Sequence, residues 1–116
     1  KLPVSAPFHC RLMNKATEVM KKEIETKNFQ DSNISLISNV TASEISDKNE
    51  LKELLIKQVE NRVRWRESVI NMIDKNINQF IEIGPGKVLS GLIKRINKSV
   101  KINTINNEID IKDLNI

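Results

Sequence analysis

The arrangement that most constrains the fold is a strand, a glycine turn, a helix and a second strand in close succession. Residues 80–83 have the length and composition of a buried strand, and a Gly-Pro-Gly turn at residues 84–86 ends it. Apolar residues then recur at helical spacing over residues 88–96, and residues 100–105 alternate apolar and polar as an edge strand does. A helix between two strands predicts a βαβ unit, in which the strands are parallel.

The middle of the chain contains two further helix signals. Asp47 followed three residues later by Glu50 is typical of a capping box, which predicts a helix up to about residue 61. A second apolar stripe begins at about Trp65, and Asn76 is the kind of residue that ends a helix in the left-handed region. These helices would cover the faces of the sheet.

A third strand is predicted at residues 34–37, a short apolar run with the flanks of a buried strand. Together the elements indicate an α/β fold with short parallel strands and flanking helices. Three strands are fewer than the usual ~4 to 6 of a sheet, so we expect part of a larger sheet. No linker or composition shift divides the chain, and we expect residues 1–116 to contain no internal domain boundary.

Composition narrows the classes of partner. The chain is 39% hydrophobic and 29% charged, which is typical of a globular protein, and no apolar run approaches the ~18 residues of a membrane span. The net charge of +4 favours an acidic partner. Arg62, Arg64 and Arg66 around Trp65 are only a weak indication of nucleic-acid binding, so we do not expect nucleic acid as a partner. Without a long apolar run, we do not expect a membrane as a partner either.

The chain has one cysteine and one histidine, which excludes an internal disulfide and the usual zinc clusters. We therefore expect no metal, and a reducing compartment. The side chains of His9 and Cys10 are expected to diverge, because they are neighbours at a helix entrance, which disfavours a Cys-His nucleophile pair. We therefore expect Cys10 to be a buried structural thiol.

His9 is the first candidate for chemistry. Pro3 and Pro7 favour an extended backbone over residues 2–7, which places the histidine on a loop. An apolar stripe then predicts a helix to about residue 27; it comprises Leu12, Met13, Ala16, Met20 and Ile24. A loop histidine can transfer protons near neutral pH, although a lone histidine more often has a structural role. Residue type alone leaves both interpretations open.

The Gly-Pro-Gly turn is the second candidate. A strand that leads through glycines into a helix can expose helix N-terminal amides, which bind anions or line a pocket. The turn is not a phosphate-binding P-loop, because the required spacing is absent and Val88 stands where a hydroxyl would be needed. A tight structural connection is an equally good interpretation.

Three segments together resemble the malonyl-CoA:acyl carrier protein transacylases. They are L-P-V-S-A-P-F-H-C-R-L-M at residues 2–13, K-Q-V-E-N-R-V-R-W-R-E-S-V at 57–69 and F-I-E-I-G-P-G-K-V-L-S-G-L-I-K-R at 80–95. The resemblance implies the C-terminal part of an α/β-hydrolase-like large subdomain. It also implies that His9 is the general base, and that the backbone carbonyl of Gln58 holds its ring in the correct tautomer.

The resemblance further assigns substrate contacts and partners. Val88 would line the acyl pocket, Gly84 and Gly86 would allow close approach, and Phe8 would disfavour α-branched substrates. The implied reaction moves a malonyl group from CoA to the pantetheine thiol of acyl carrier protein through a malonyl-serine ester, in fatty-acid biosynthesis. No cofactor is implied, and the location would be bacterial cytoplasm or a plastid.

The chain departs from the family pattern, because these 116 residues contain no G-x-S-x-G nucleophile motif. The arginine that pairs with the malonyl carboxylate in the family and the amides of its oxyanion hole are also missing. We therefore expect the N-terminal remainder of the enzyme as a further partner, and no transfer by the 116 residues alone. Two alternatives stay open, the acyltransferase domain of a polyketide or fatty-acid synthase, and a non-catalytic module that docks a carrier protein.

Overall fold

The computed structural model describes residues 6–112 and 114, and it divides the chain into two compact units, Lys1–Ser68 and Val69–Ile116. Most of the segment expected to be extended, residues 2–5, lies outside the described residues. The expectation of one undivided segment of a larger subdomain stays a prediction.

The described elements are short helices and strands in mixed order. In the first unit a 3₁₀ helix (Arg11–Met13) leads into α1 (Asn14–Thr26), followed by β1 (Leu36–Ile37), β2 (Glu44–Ile45) and α2 (Lys48–Gln58). Helix α3 (Trp65–Asp74) contains the boundary between the units. The second unit then has β3 (Gln79–Ile83), α4 (Val88–Ile96), β4 (Lys101–Ile105) and α5 (Glu108–Lys112).

The second unit is built on the predicted βαβ arrangement. Strands β3 and β4 are parallel, with Gln79 opposite Lys101 and Ile83 opposite Ile105, and α4 connects them. Both strands are short: β3 ends at Ile83, directly before the glycine turn, and β4 ends at Ile105. The prediction of an α/β fold with short parallel strands is confirmed.

The prediction of a parallel buried strand at residues 34–37 is wrong. The strand consists of Leu36 and Ile37 alone, and it pairs antiparallel with β2 in a separate two-stranded sheet. Ile34 is 79% exposed. The chain reverses directly after β1, where Ala42 donates its N–H to the Ser38 carbonyl and has a positive φ of 59°. An apolar run alone cannot distinguish a parallel strand from one arm of such a hairpin.

The helix ends follow the sequence signals closely. Asp47 Oδ1 accepts the backbone N–H groups of Asn49 at 2.9 Å and Glu50 at 2.8 Å, which confirms the predicted N-cap of α2. Asn76 has a φ of 67°, and its N–H donates to the Ile73 carbonyl, as in a Schellman motif. Helix α2 ends at Gln58, three residues before the expected end.

Few side chains among the described residues are buried. The buried apolar residues are Ile24, Ala42, Ile45 and Leu54 in the first unit, and Val69, Ile93 and Val100 in the second. The apolar stripe predicted for the first helix is only partly covered. Leu12 and Met20 are 78% and 45% exposed, Met13 and Ala16 are half-buried, and Ile24 is buried. None of the helices in the described residues combines the length and hydropathy needed to cross a membrane.

Candidate active site

His9 lies on the loop before the 3₁₀ helix, in contact with the end of α2. Its Nδ1 is 2.9 Å from the backbone carbonyl oxygen of Gln58, 49 residues away in sequence. A carbonyl oxygen can only accept a hydrogen bond, so Nδ1 is the ring nitrogen that carries the proton. Nε2 of the neutral ring is then left with a lone pair, which is the form that a general base requires.

The end of α2 favours this contact. Gln58 is the last residue of the helix, and the last four carbonyls of an α-helix lack partners within the helix. Those carbonyls form the negative end of the helix dipole, which attracts an N–H donor. The pair therefore satisfies the Gln58 carbonyl and fixes the orientation of the imidazole at the same time.

The backbone of the His9 loop is unusual. His9 has a φ of 58°, in the left-handed region that residues with a side chain rarely adopt. The preceding turn is closed by the Phe8 N–H, which donates to the Ala6 carbonyl at 2.9 Å, and the chain enters the 3₁₀ helix directly afterwards. This conformation directs the ring of an exposed residue toward Gln58, although it costs conformational energy.

Cys10 contributes to the loop and not to a nucleophile pair. Its Sγ donates a hydrogen bond to the Pro7 carbonyl at 3.1 Å, which closes the turn around His9. The expectation of a buried thiol is wrong, because Cys10 is only half-buried. The physical reason is that its loop lies at the surface of the first unit, where Phe8 is 58% exposed.

The Gly84–Gly86 turn, in the second unit, has its amides engaged within the chain. Gly84 donates to the Ile105 carbonyl at 2.9 Å, and Gly86 donates to Asn106 Oδ1 at 2.7 Å. Both glycines have a positive φ, 135° and 97°, which explains why glycine is needed there. Val88, which follows the turn, is 71% exposed.

Glu82 is a residue whose role the sequence analysis missed. Its carboxylate accepts the backbone N–H of Leu89 at 3.0 Å, and both the N–H and the hydroxyl of Ser90, at 2.8 and 2.6 Å. These bonds, the Ser90 hydroxyl first, hold the pKa of Glu82 below its ordinary value. A protein carboxylate thus already occupies the first turn of α4, which excludes the interpretation of those amides as a free anion site. A charged residue within an otherwise apolar strand was the available signal.

The arginine cluster before α3 is largely structural. Arg64 donates to the Thr41 carbonyl at 3.0 Å and lies 3.4 Å from the Glu67 carboxylate, which Arg62 also approaches at 3.5 Å. A hydrogen bond from its own backbone amide, followed by Arg64 and Arg62, lowers the pKa of Glu67. Arg64 therefore links the β1–β2 turn to the start of α3.

The predicted site residues fall into two groups. Phe8, His9 and Gln58 lie in the first unit, and the His9 ring meets the Gln58 carbonyl. Gly84, Gly86 and Val88 lie in the second unit at the turn after β3. Within the described residues no group of three or more potential metal-binding side chains occurs.

Comparison with known proteins identifies relatives of this chain among curated proteins and solved structures. No family model matches the chain. The malonyl CoA-acyl carrier protein transacylase of Bacillus subtilis is 44% identical over 100 residues, which cover 86% of this chain and 32% of that protein. The chain thus spans about a third of the length of the curated relatives that it matches, in their C-terminal part.

Two solved structures extend the comparison to three dimensions. The acyl-carrier-protein S-malonyltransferase of Bartonella henselae superposes with a TM-score of 0.90 at 43% identity, over 97% of this chain and 36% of that one. A malonyl-transacylase solved in complex with AntF, a type II polyketide acyl carrier protein, superposes with a TM-score of 0.87 at 32% identity. The match covers 96% of this chain and 36% of that one.

Proposed function

Because the chain is homologous to a C-terminal segment of the malonyl CoA-acyl carrier protein transacylases, we propose that it supplies the general base of such an enzyme. The enzyme would transfer a malonyl group from CoA to the pantetheine thiol of acyl carrier protein, for fatty-acid biosynthesis. The observation that carries the proposal is the hydrogen bond between His9 Nδ1 and the Gln58 carbonyl, which leaves Nε2 free to accept a proton.

In the first half of the reaction, His9 Nε2 takes the proton of a serine hydroxyl while the serine oxygen attacks the malonyl thioester carbonyl. Collapse of the tetrahedral intermediate breaks the carbon–sulfur bond, and the same nitrogen returns the proton to the departing CoA sulfur. The Gln58 carbonyl stabilises the imidazolium that exists between these two steps, since it accepts a hydrogen bond from the positively charged ring.

In the second half, His9 Nε2 takes the proton of the pantetheine thiol, whose sulfur attacks the malonyl-serine ester. The proton then returns to the serine oxygen as the carbon–oxygen bond breaks. One nitrogen in one tautomer serves all four proton transfers, which explains why the fixed orientation of the ring matters. The serine belongs to the N-terminal remainder of the enzyme, because the 116 residues contain no nucleophile motif.

Four residues are proposed as contacts of the acyl group. Phe8 would restrict the space beside the malonyl α-carbon, Val88 would contact the acyl group, and Gly84 and Gly86 would allow close approach. The exposure of Phe8 and Val88, at 58% and 71%, supports roles in contact with substrate or with the remainder of the enzyme.

The proposed partners are malonyl-CoA, acyl carrier protein and the N-terminal remainder. The complex of a related transacylase with a carrier protein supports the second partner, and the net charge of +4 suits an acidic one. No metal or other cofactor is needed by the chemistry above. The bacterial relatives support a cytoplasmic location for the enzyme.

The proposal is tested by fusing this chain to the part of the Bacillus subtilis relative that precedes the match. The fused polypeptide should transfer malonyl groups from malonyl-CoA to acyl carrier protein, whereas neither part alone should do so. Transfer by the 116-residue chain alone would contradict the proposal. A folded fusion without activity, next to an active whole relative, would also contradict it.

A further inference from the structure

The turn that follows Gln58 is closed by a side-chain hydrogen bond as well as by backbone hydrogen bonds. The Lys57 carbonyl accepts the backbone N–H of Asn61 at 3.0 Å and that of Glu60 at 3.3 Å. It also accepts the side-chain amide of Asn61 at 2.7 Å, which is the shortest of the three bonds. Asn61 therefore closes the end of α2 around the carbonyl next to that of Gln58.

In this arrangement the neighbouring carbonyls of Lys57 and Gln58 accept hydrogen bonds from different donors. The Lys57 oxygen accepts the backbone N–H groups of Glu60 and Asn61 and the side-chain amide of Asn61. The Gln58 oxygen accepts from His9 Nδ1 at 2.9 Å. Helix ends normally fray, since their last carbonyls lack partners within the helix. A side-chain donor that fixes the last turn would hold the peptide plane of Gln58 in the orientation that the histidine requires.

A second contact joins the same turn to the histidine's own element. Asn14, the first residue of α1, donates through its side-chain amide to Glu60 Oε1 at 3.3 Å. Asn14 lies five residues after His9, and Glu60 lies two residues after Gln58. The His9–Gln58 bond is thus one side of a closed loop whose opposite side is the Asn14–Glu60 bond.

We propose that Asn61 is a positioning residue, which fixes the His9 tautomer by holding the Gln58 carbonyl in place through the turn at the end of α2. Its effect on catalysis rests on the proposed function, but its effect on the histidine ring does not. If the Gln58 carbonyl rotates away, the Nδ1 proton loses its acceptor, and the neutral ring can move that proton to Nε2. A ring in that form cannot act as a base at Nε2.

The tautomer can be read directly, because His9 is the only histidine in the 116 residues. Nitrogen-15 labelling of histidine gives one pair of ring signals, whose shifts distinguish Nδ1–H from Nε2–H at about pH 8.5, where an imidazole is neutral. The unaltered chain should show Nδ1–H in large excess. Asn61→Asp, which cannot donate to a carbonyl, and Asn61→Ala should both shift the ring toward a mixture of tautomers.

Two further variants separate positioning from general effects on folding or charge. Asn61→Ser should restore the Nδ1–H form in part, because hydroxyls in this chain reach the carbonyl four residues earlier, as Ser68 Oγ does at 2.9 Å from the Arg64 oxygen. Asn49→Asp introduces the same charge at the other end of α2 and should leave the ring unchanged. Circular dichroism identifies the variants that are folded.

In the fused enzyme, Asn61→Asp should lower kcat by about tenfold with little change in KM, as expected when a catalytic group loses its orientation. An unchanged tautomer in either folded Asn61 variant would overturn the positioning role, whatever the activity. A shifted tautomer in the 116-residue variants, together with a fusion that transfers no malonyl group, would retain the positioning role and contradict the proposed function instead.

Discussion

At the scale of single residues, the candidate site depends on one backbone atom rather than on a second side chain. The Gln58 carbonyl accepts a hydrogen bond from His9 Nδ1, with 2.9 Å between nitrogen and oxygen, as an aspartate does from the histidine of a Ser-His-Asp triad. A carbonyl cannot be removed by substitution of its side chain. We therefore expect the His9–Gln58 hydrogen bond to persist after most substitutions of residue 58 and to weaken when a substitution moves the end of α2.

Substitution of Gln58 by alanine should therefore have little effect. We expect kcat/KM of the fused enzyme to change by less than about threefold, because alanine keeps both the carbonyl and a high helix propensity. Steady-state malonyl transfer to acyl carrier protein measures this. A loss of about a hundredfold or more would show that the Gln58 side chain has a function of its own.

Glu82 should make the stability of the chain depend on pH. The bonds from Ser90 and Leu89 lower the pKa of Glu82 below 4.5, so the folded form binds a proton less readily than the unfolded chain does. This contribution is complete above the unfolded pKa and is lost as the pH falls through the folded pKa.

Urea unfolding of Glu82→Gln should accordingly show a lower midpoint than the unaltered chain at pH 7, and the difference should shrink at pH values below about 4.5. Glu23→Gln, on the exposed surface of α1, is the matched control and should change neither the urea midpoint at pH 7 nor its dependence on pH. A difference that stays constant with pH would contradict the assigned role of the Glu82 carboxylate.

At the scale of elements, the sequence was most informative where a polar or special residue marks an end. Asp47 and Asn76 marked the start of α2 and the stop of α3, because capping depends on local hydrogen bonds that a short segment determines by itself. The pairing of residues 34–37 was not predictable in this way. The partner of a strand is determined by residues distant from it in sequence, and an apolar run alone does not indicate the hairpin return at Ser38–Ser43.

The candidate site shows the same division. His9 and Gln58 were predicted from the resemblance of three motifs to a known family. The contact of Arg64 with the Thr41 carbonyl and that of Glu82 with the first turn of α4 could not be inferred from periodicity. Both involve a charged side chain that satisfies backbone groups of another element, and no simple spacing rule describes such contacts.

The glycine turn between β3 and α4 provides a test with an internal control. Gly86→Ala should lower the free energy of unfolding by about 1–2 kcal/mol, because a residue with a Cβ is strained at a φ of 97° even where no atom lies within 4 Å.

Gly91→Ala is the matched substitution inside α4, also with no atom within 4 Å, and it should raise stability by about 0.5–1 kcal/mol. Thermal unfolding of both variants measures the two signs. An equal response of the two glycines would contradict the strain argument.

At the scale of the whole molecule, exposed apolar side chains suit a chain that packs against further protein. Phe8, Leu12 and Val19 are 58%, 78% and 62% exposed. Scattered exposed residues need no explanation, but several on one helix and its entrance favour a covered surface. The chain matches about a third of each relative, so the segment that precedes the match in those relatives is the partner that we propose to test.

The isolated chain should therefore bind an apolar dye such as ANS, and the fusion should bind less dye per molecule although it is longer. Leu12→Glu should reduce dye binding by the isolated chain. The same substitution should destabilise the fusion, whereas Lys15→Glu, a neighbouring exposed position, should do neither. Dye binding that is equal in chain and fusion would contradict a covered surface.

The central claim is that His9 is the general base of malonyl transfer, and single-turnover kinetics of the fused enzyme test it most directly. His9→Ala should slow formation of the malonyl-serine ester by about 10²- to 10⁴-fold, the usual contribution of a positioned general base, while the fold and malonyl-CoA binding are retained. A His9→Ala enzyme that is folded and forms the ester at the unaltered rate would contradict the claim.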